Sequence, residues 1–286
     1  MNNTTKGIIA LIISSLGFSI MAFCVKYSGD LPTVQKTFFR NFIAMLIALF
    51  LVIRHKEKLF GKKENQGLLM LRSVLGLIGV LLNFFTIDRM VLSDADILNK
   101  LSPFFTILLC AYFLKEYVHK FQLWSIIIAF IGAIFIIKPS LSSDTLYALI
   151  GVLGALCAAG AYTVLRVLGS REKYYTVVFY FSGFSSLVLL PFFIWYYEPM
   201  TMNQFLILIC SGIAAAAGQF GLTIAYSYAP AKEISIFFYS TILFTALFSI
   251  IVFNEIPDIL SLTGYVIIFG ASYYMFMKNR PPKRTA

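Results

Sequence analysis

LKEYVHKFQLWSIIIAFIGAIF, residues 114–135, returns as FNEIPDILSLTGYVIIFGASYY, residues 253–274, 139 positions further along the chain. Each passage closes one apolar run on a short polar turn carrying a glutamate, Glu116 or Glu255, and then opens another apolar run. Runs of this kind fill the rest of the sequence: 7–27, 34–53, 67–87, 94–114 and 121–138, then 146–167, 174–196, 204–226, 232–253 and 259–277. About 20 apolar residues cross the roughly 30 Å hydrocarbon layer as a helix. The runs are continuously apolar and do not alternate over about ten residues, so they predict helices and not barrel strands. With 59% hydrophobic and 13% charged residues and a mean hydropathy of +0.85, the chain has too little charge to cover a water-facing surface. The predicted fold class is an all-α integral membrane protein of ten transmembrane helices.

The repeat divides the chain into 1–140 and 141–286, two five-helix halves of one membrane domain. Glu116 then aligns with Glu255, Lys100 with Tyr239 and, with a shift of one more residue, Lys26 with Arg166. Five crossings is an odd number, so the second half enters from the opposite face and the halves are inverted copies. Exchanging the conformations of two equivalent halves moves an access path from one face to the other, the basis of secondary transport by alternating access. Duplication without function leaves the same pattern.

Charge is read loop by loop, because Lys and Arg are retained on the cytoplasmic side. With the N-terminus inside, 17 of the 23 basic residues fall on the inner side and six, Lys26, Lys36, Arg40, Arg89, Lys100 and Lys138, on the outer. The expectation is a multi-pass cell-membrane protein with both termini cytoplasmic. The formal charge of +10 thus orients the chain against anionic lipid and implies no nucleic-acid partner. The first span is long and lacks a small-residue cleavage pattern, so it is expected to be retained. Cys24, Cys110, Cys157 and Cys210 lie in four different spans without a CxxC pair, which points to packing and away from disulfides or a metal site. The expected partners are a small-molecule substrate and the lipid bilayer, with a homodimer left open. No cofactor is expected.

No GxxxxGK[ST], HExxH or GxSxG motif is present, and the two histidines, His55 and His119, fall in loops; ATP hydrolysis through a Walker fold and enzyme chemistry are therefore not expected. A channel, scramblase or regulatory membrane protein shares the span pattern, and saturable, stereospecific flux would separate a carrier from these.

FFRN at 38–41, RSVLG at 72–76 and SDADILNKLSPFFTILLCAYFLKE at 93–116, with Ala95, Pro103 and Glu116 at characteristic spacing, resemble the drug/metabolite transporter superfamily in its ten-helix EamA-like branch. The resemblance covers both halves, although the second has Ile242 where the first has Pro103. It implies an inverted-repeat carrier with a central cavity lined by spans one, three, four, six, eight and nine. Relatives of this kind carry amino acids, nucleosides, sugars, cofactors and drugs, so the resemblance leaves the solute open. A carrier of a small, amino-acid-like metabolite is the first expectation, and a multidrug or toxic-metabolite exporter is the alternative.

Helical spacing marks the same inner faces independently. Span one places Ser15, Ser19, Ala22 and Lys26 on one face; span six places Ala155, Ala159, Tyr162 and Arg166; span three places Arg72, Gly76, Gly79 and Asn83. Span four places Asp96, Asn99, Lys100 and Pro103 together, span eight Gln219, Thr223 and Tyr226, and span nine Ser235 and Tyr239. Spans five and ten carry little comparable polarity and are expected at the periphery. Lys100 lies about six residues inside its span, where an unpaired charge costs about 3 kcal/mol or more. Asp96, one turn earlier, can pair with it, and Pro103 cannot donate to the Asn99 carbonyl at the resulting bend. The candidate substrate-binding residues are Ser19, Asn83, Asn99, Lys100, Tyr162, Gln219 and Tyr239. A local ion pair that snorkels outward, or tyrosine as plain packing, competes with this reading.

Lys26 and Glu255 end on the outer side, and their repeat equivalents Arg166 and Glu116 on the inner. A two-fold axis in the membrane plane turns one pair into the other. The expectation is that Lys26 with Glu255 closes the outer mouth and Arg166 with Glu116 the inner one, in alternation; simple anchoring of helix ends at the headgroups competes with it.

Overall fold

A computed structural model describes residues 3–115, 117–138, 143–169, 171–228 and 235–279, and among these it is helical with short links and no strand. The helices are α1 (Asn3–Tyr27), α2 (Thr33–Arg54), α3 (Gln66–Ile87), α4 (Leu92–Asn99), α5 (Ser102–Leu114) and α6 (Lys120–Ile137). The second half adds α7 (Ser143–Leu168), α8 (Tyr174–Trp195), α9 (Met202–Tyr228), α10 (Ser240–Phe253) and α11 (Ile259–Asn279). Two 3-10 turns, Lys63–Asn65 and Ser235–Tyr239, precede α3 and α10. Among the described residues nine segments are long and apolar enough to cross a bilayer, α4 and α5 counting together, and Phe237–Phe253 is a shorter apolar helix. Continuous helix satisfies every main-chain donor and acceptor internally, which is the condition for crossing hydrocarbon.

The repeated passage folds alike in its two copies. Helices α5 and α10 stop at left-handed residues, Lys115 (φ 54°) and Asn254 (φ 52°), whose N–H groups bond back to the carbonyls of Cys110 and Ser249. A left-handed cap ends a helix and satisfies its last carbonyls. The next helices then begin at equivalent polar residues. Gln122 Oε1 accepts the His119 N–H at 2.8 Å, and Asp258 Oδ1 accepts the Ser261 N–H at 2.8 Å. Lys138, at the end of α6, reaches Asp258 Oδ2 at 2.8 Å, and its hydrogen bond holds the exposed Asp258 carboxyl below the usual carboxylate range.

Helix packing pairs α1 with α9, α3 with α7, α2 with α8, and α6 with α11, while α10 lies against α1 and α4, and α5 against α7. Exchanging each element for its partner in the other half returns the same set of pairings. The α6–α11 contact depends on glycine: a Cβ on Gly264 would lie 2.6 Å from the Gly132 carbonyl oxygen. Backbones approach this closely in membranes only across small residues.

Large apolar side chains cover the outside, among them Phe50, Trp124, Leu187, Trp195, Leu243 and Val266, while Ser15, Thr37, Asn41, Ser73, Ser185 and Ser249 are buried. This inside-out distribution fits a lipid solvent. Lys36, Arg40, Arg72 and Lys100, all assigned above to one side or the other, are buried within the protein. Lys36 is held at 2.7 Å by Asp88 Oδ1.

Candidate functional site

Span four is broken, not bent at Pro103. Helix α4 ends at Asn99, Lys100 and Leu101 make the link, and α5 starts at Ser102 with Pro103 in its first turn. Proline is well placed there, since a first-turn residue has no helical acceptor for its N–H. The Lys100 N–H turns back onto the carbonyls of Asp96 (3.2 Å) and Ile97 (3.0 Å), and the Phe104 N–H bonds Leu101. In the second half the chain passes from 3-10 turn to α-helix at Tyr239 and Ser240, so helix geometry changes at matched positions even without a proline.

The two discontinuities touch. Buried Tyr239 donates its hydroxyl to the Lys100 carbonyl at 3.0 Å. The Lys100 ammonium lies 3.3 Å from Asp96 Oδ1 and 4.1 Å from the ring centre of Phe238. Asp96 Oδ2 in turn accepts the Thr245 hydroxyl at 3.2 Å. A buried charge needs this kind of partnership, because desolvation costs several kcal/mol per ion.

Beside the break lies a cavity of about 80 Å³, room for several waters at roughly 10–15 Å³ each. Asn83, Asn99, Lys100, Tyr162 and Gln219 all line it. Tyr239 stands behind Lys100 and acts on its main chain. Ser19 is not brought to the cavity; its hydroxyl donates to the carbonyls of Ser15 (2.8 Å) and Thr241 (3.1 Å), fastening α1 to α10. Of the wider stripes, Ala22, Arg72, Gly76, Gly79 and Asp96 are lining residues. The side chains of Tyr226 and Ser235 lie outside the described residues.

Two further spans reach the cavity beyond the six expected: α2 through Arg40 and α8 through Phe181. Arg40 is seven residues inside α2, roughly 10 Å deep at about 1.5 Å per residue, and only 1% exposed. Arg72 is 3% exposed. The Arg72 guanidinium carbon stands 3.8 Å from the centre of the Phe181 ring, and that of Arg40 stands 5.4 Å away. Arg40 Nη1 donates to Asn41 Oδ1 at 2.6 Å and Arg72 Nη2 to Gln219 Oε1 at 3.4 Å. Gly76 makes this possible, for a Cβ there would lie 2.9 Å from both Arg72 Nη1 and the Phe181 ring edge.

A compact polar knot lies at one end of the bundle. Lys26 Nζ lies 2.6 Å from Glu255 Oε1 and donates to the Met90 carbonyl at 2.8 Å, while Glu255 Oε2 accepts the Leu92 N–H at 3.2 Å. The knot joins α1, the α3–α4 link and the end of α10. Arg166 is an exposed residue of α7; Glu116 lies outside the described residues, so the second expected pair is not visible as a pair.

An apolar exterior, a charged interior cavity and two discontinuous helices meeting beside it define a multi-pass membrane protein of the transporter class. The model of the EamA-like transporter family matches residues 5–138 and again 145–277, and the chain belongs to that family. It is 34% identical over 270 residues to the pseudopaline exporter CntI of Pseudomonas aeruginosa, covering 93% of this chain and 94% of the relative. It is also 29% identical to a riboflavin transporter of Brucella anthropi, covering 90% and 92%, and 26% identical to human solute carrier family 35 member G1, covering 93% and 77%. A solved crystal structure superposes with a TM-score of 0.68 at 12% identity over 94% of this chain and 96% of the other, a likeness of fold alone. Family and relatives together make this chain a membrane transporter and not an enzyme, with a small-molecule substrate.

Proposed function

We propose that the protein is a secondary carrier that moves a small, amino-acid-like solute through the central cavity by alternating access, its two halves being inverted repeats. The observation that carries this reading is the junction of Lys100 and Tyr239. These are matched residues of the two halves, each sits where its helix loses α geometry, and Lys100 lines the central cavity while Tyr239 holds its main chain from behind. Discontinuous helices at the interface of repeats are the usual site of substrate binding in such carriers, with one half rocking against the other. The double match of the family model and the exchange of helix pairings between halves support the repeat.

Asn83, Asn99, Lys100, Tyr162 and Gln219 contact the solute in this mechanism, and Tyr239 positions the break. The Lys26–Glu255 pair closes the outer mouth and Arg166 with Glu116 the inner one, both termini being cytoplasmic. The formed Lys26–Glu255 pair supports the first of these closures. The charged lining favours a polar metabolite over the lipophilic drugs of a multidrug exporter.

The test is solute counterflow in proteoliposomes across amino acids, nucleosides, organic acids and organic cations. Saturable exchange of at least one class, lost in Lys100→Ala, is the expected result; uptake that is unsaturable for every class removes the carrier reading. For orientation, a cysteine replacing Lys62 in a background lacking the four native cysteines should resist an impermeant reagent applied outside the cell, and labelling there would reverse the topology.

A further inference from the structure

The cavity holds more positive charge than the carrier reading alone requires. Its ionised lining groups are Arg40, Arg72 and Lys100 against one carboxylate, Asp96. Asp96 is already engaged by Lys100 and Thr245. Among the described residues neither guanidinium is in an ion pair.

The two arginines also have donors to spare. Nε of Arg40, and Nε and Nη1 of Arg72, are buried without a hydrogen-bond partner among the described residues, although both side chains are more than nine-tenths buried and line the cavity. A guanidinium offers five N–H donors in a planar fork that matches a carboxylate. Leaving such donors without a partner inside a membrane protein is costly. The Phe181 ring offsets part of that cost through cation–π contact, but it satisfies no N–H in the ring plane. An anion entering the cavity would do so.

We infer that the transported solute is a dicarboxylate or larger polycarboxylate, one carboxylate held by Arg40 and Arg72 over the Phe181 ring and a second by Lys100 beside the helix break. This rests on the carrier reading above and names the substrate class of that same site. Two negative charges balance the excess of three cations over one carboxylate. Arginine suits the first position because its fork can bind a carboxylate bidentately, and lysine suits the second because a point charge tolerates varied geometry.

The experiment uses the purified full-length protein in detergent and a dicarboxylate series from malonate to pimelate, together with nitrilotriacetate. Each acid is set against its amide, and the dicarboxylates also against the diamine of equal length. Thermal unfolding is followed at rising ligand concentration, since a ligand specific for the native state raises stability by mass action. At least one acid should stabilise the protein saturably while its amide and the diamines do not. Arg72→Gln should weaken that acid by at least about tenfold, equivalent to about 1.4 kcal/mol. The comparison of acid with amide needs no variant, so it stands even if Arg72→Gln folds poorly, and Arg40→Gln serves as the second variant. Equal stabilisation by amide or diamine, no stabilisation by any acid, or unchanged affinity in both folded variants overturns the inference. If an acid binds as expected and no solute of any class shows counterflow in proteoliposomes, the anion site stands and the carrier reading falls; if another solute is carried and the bound acid is not, the carrier reading stands and the inference falls. If a cationic or neutral solute is carried while no acid binds, the carrier reading stands and this inference falls.

Discussion

The side chain of Tyr239 caps the main chain of Lys100: a 3.0 Å hydrogen bond from the phenol hydroxyl to the Lys100 carbonyl joins the points at which α4 and α10 depart from regular helix. A broken helix leaves carbonyls without their usual donors, and here the other half of the molecule supplies one. The break in the first half of the chain is therefore held by a residue of the second.

Tyr239→Phe removes that donor and strands a buried carbonyl, at a cost of about 1–3 kcal/mol. The variant should insert normally, unfold at lower temperature in detergent and transport more slowly. Wild-type thermal stability in Tyr239→Phe would show that the bond does not hold the break.

Lys100→Ala should abolish or strongly reduce transport, and it should also destabilise, because it leaves Asp96 buried without its cation at a cost of about 3–5 kcal/mol. Adding Asp96→Asn should recover much of the stability and none of the transport. Full solute affinity and turnover in reconstituted Lys100→Ala would remove Lys100 from the site.

Gly76→Ala places a methyl group 2.9 Å from Arg72 Nη1 and from the Phe181 ring edge. The far end of the arginine can move aside, so the fold should survive with a modest loss of stability. The guanidinium should leave the ring, and the apparent affinity for solute should fall by roughly tenfold, the effect of losing about 1.4 kcal/mol. Titrating ligand-induced thermal shifts in wild type and Gly76→Ala measures this directly.

Charge reversal addresses the knot at Lys26. Lys26→Glu alone and Glu255→Lys alone should each impair transport, and the double exchange should restore a good part of it. Restoration should be incomplete, because Glu255 also accepts the Leu92 N–H and Lys26 also donates to the Met90 carbonyl, contacts that the swapped charges cannot both reproduce. Equal impairment in single and double variants would reduce the pair to an anchor of helix ends.

Much of this arrangement can be read from the chain alone, and the remainder shows where such reading stops. The apolar runs announce the crossings, since only helices and closed barrels span lipid, and polar residues at helical spacing announced Asn83, Asn99, Lys100 and Gln219 on the cavity. Arg40 lies nearly as deep in its span as Lys100, and an intramembrane arginine is itself a signal, but a count of basic residues by side assigns it to the outer face and reads no further. Phe181 and Phe238 gave no signal among 29 phenylalanines. Ser19 looked like a solute ligand because its polar stripe is real, but a hydroxyl can be satisfied by carbonyls of its own and a neighbouring helix. The bond from Tyr239 to Lys100 is a contact between distant segments, and although the repeat aligned the two residues, alignment alone does not bring a side chain to a carbonyl.

The imbalance of three cations over one carboxylate also has an electrical side. In the proposed cycle, any part of the membrane field that these charges cross as the cavity changes faces is worth about 2.3 kcal/mol per unit charge for each 100 mV. The dianion inferred above would cancel that work. The loaded carrier would then reorient almost indifferently to membrane voltage while the empty one would not, which would place the voltage dependence of the cycle in the return of the unoccupied protein.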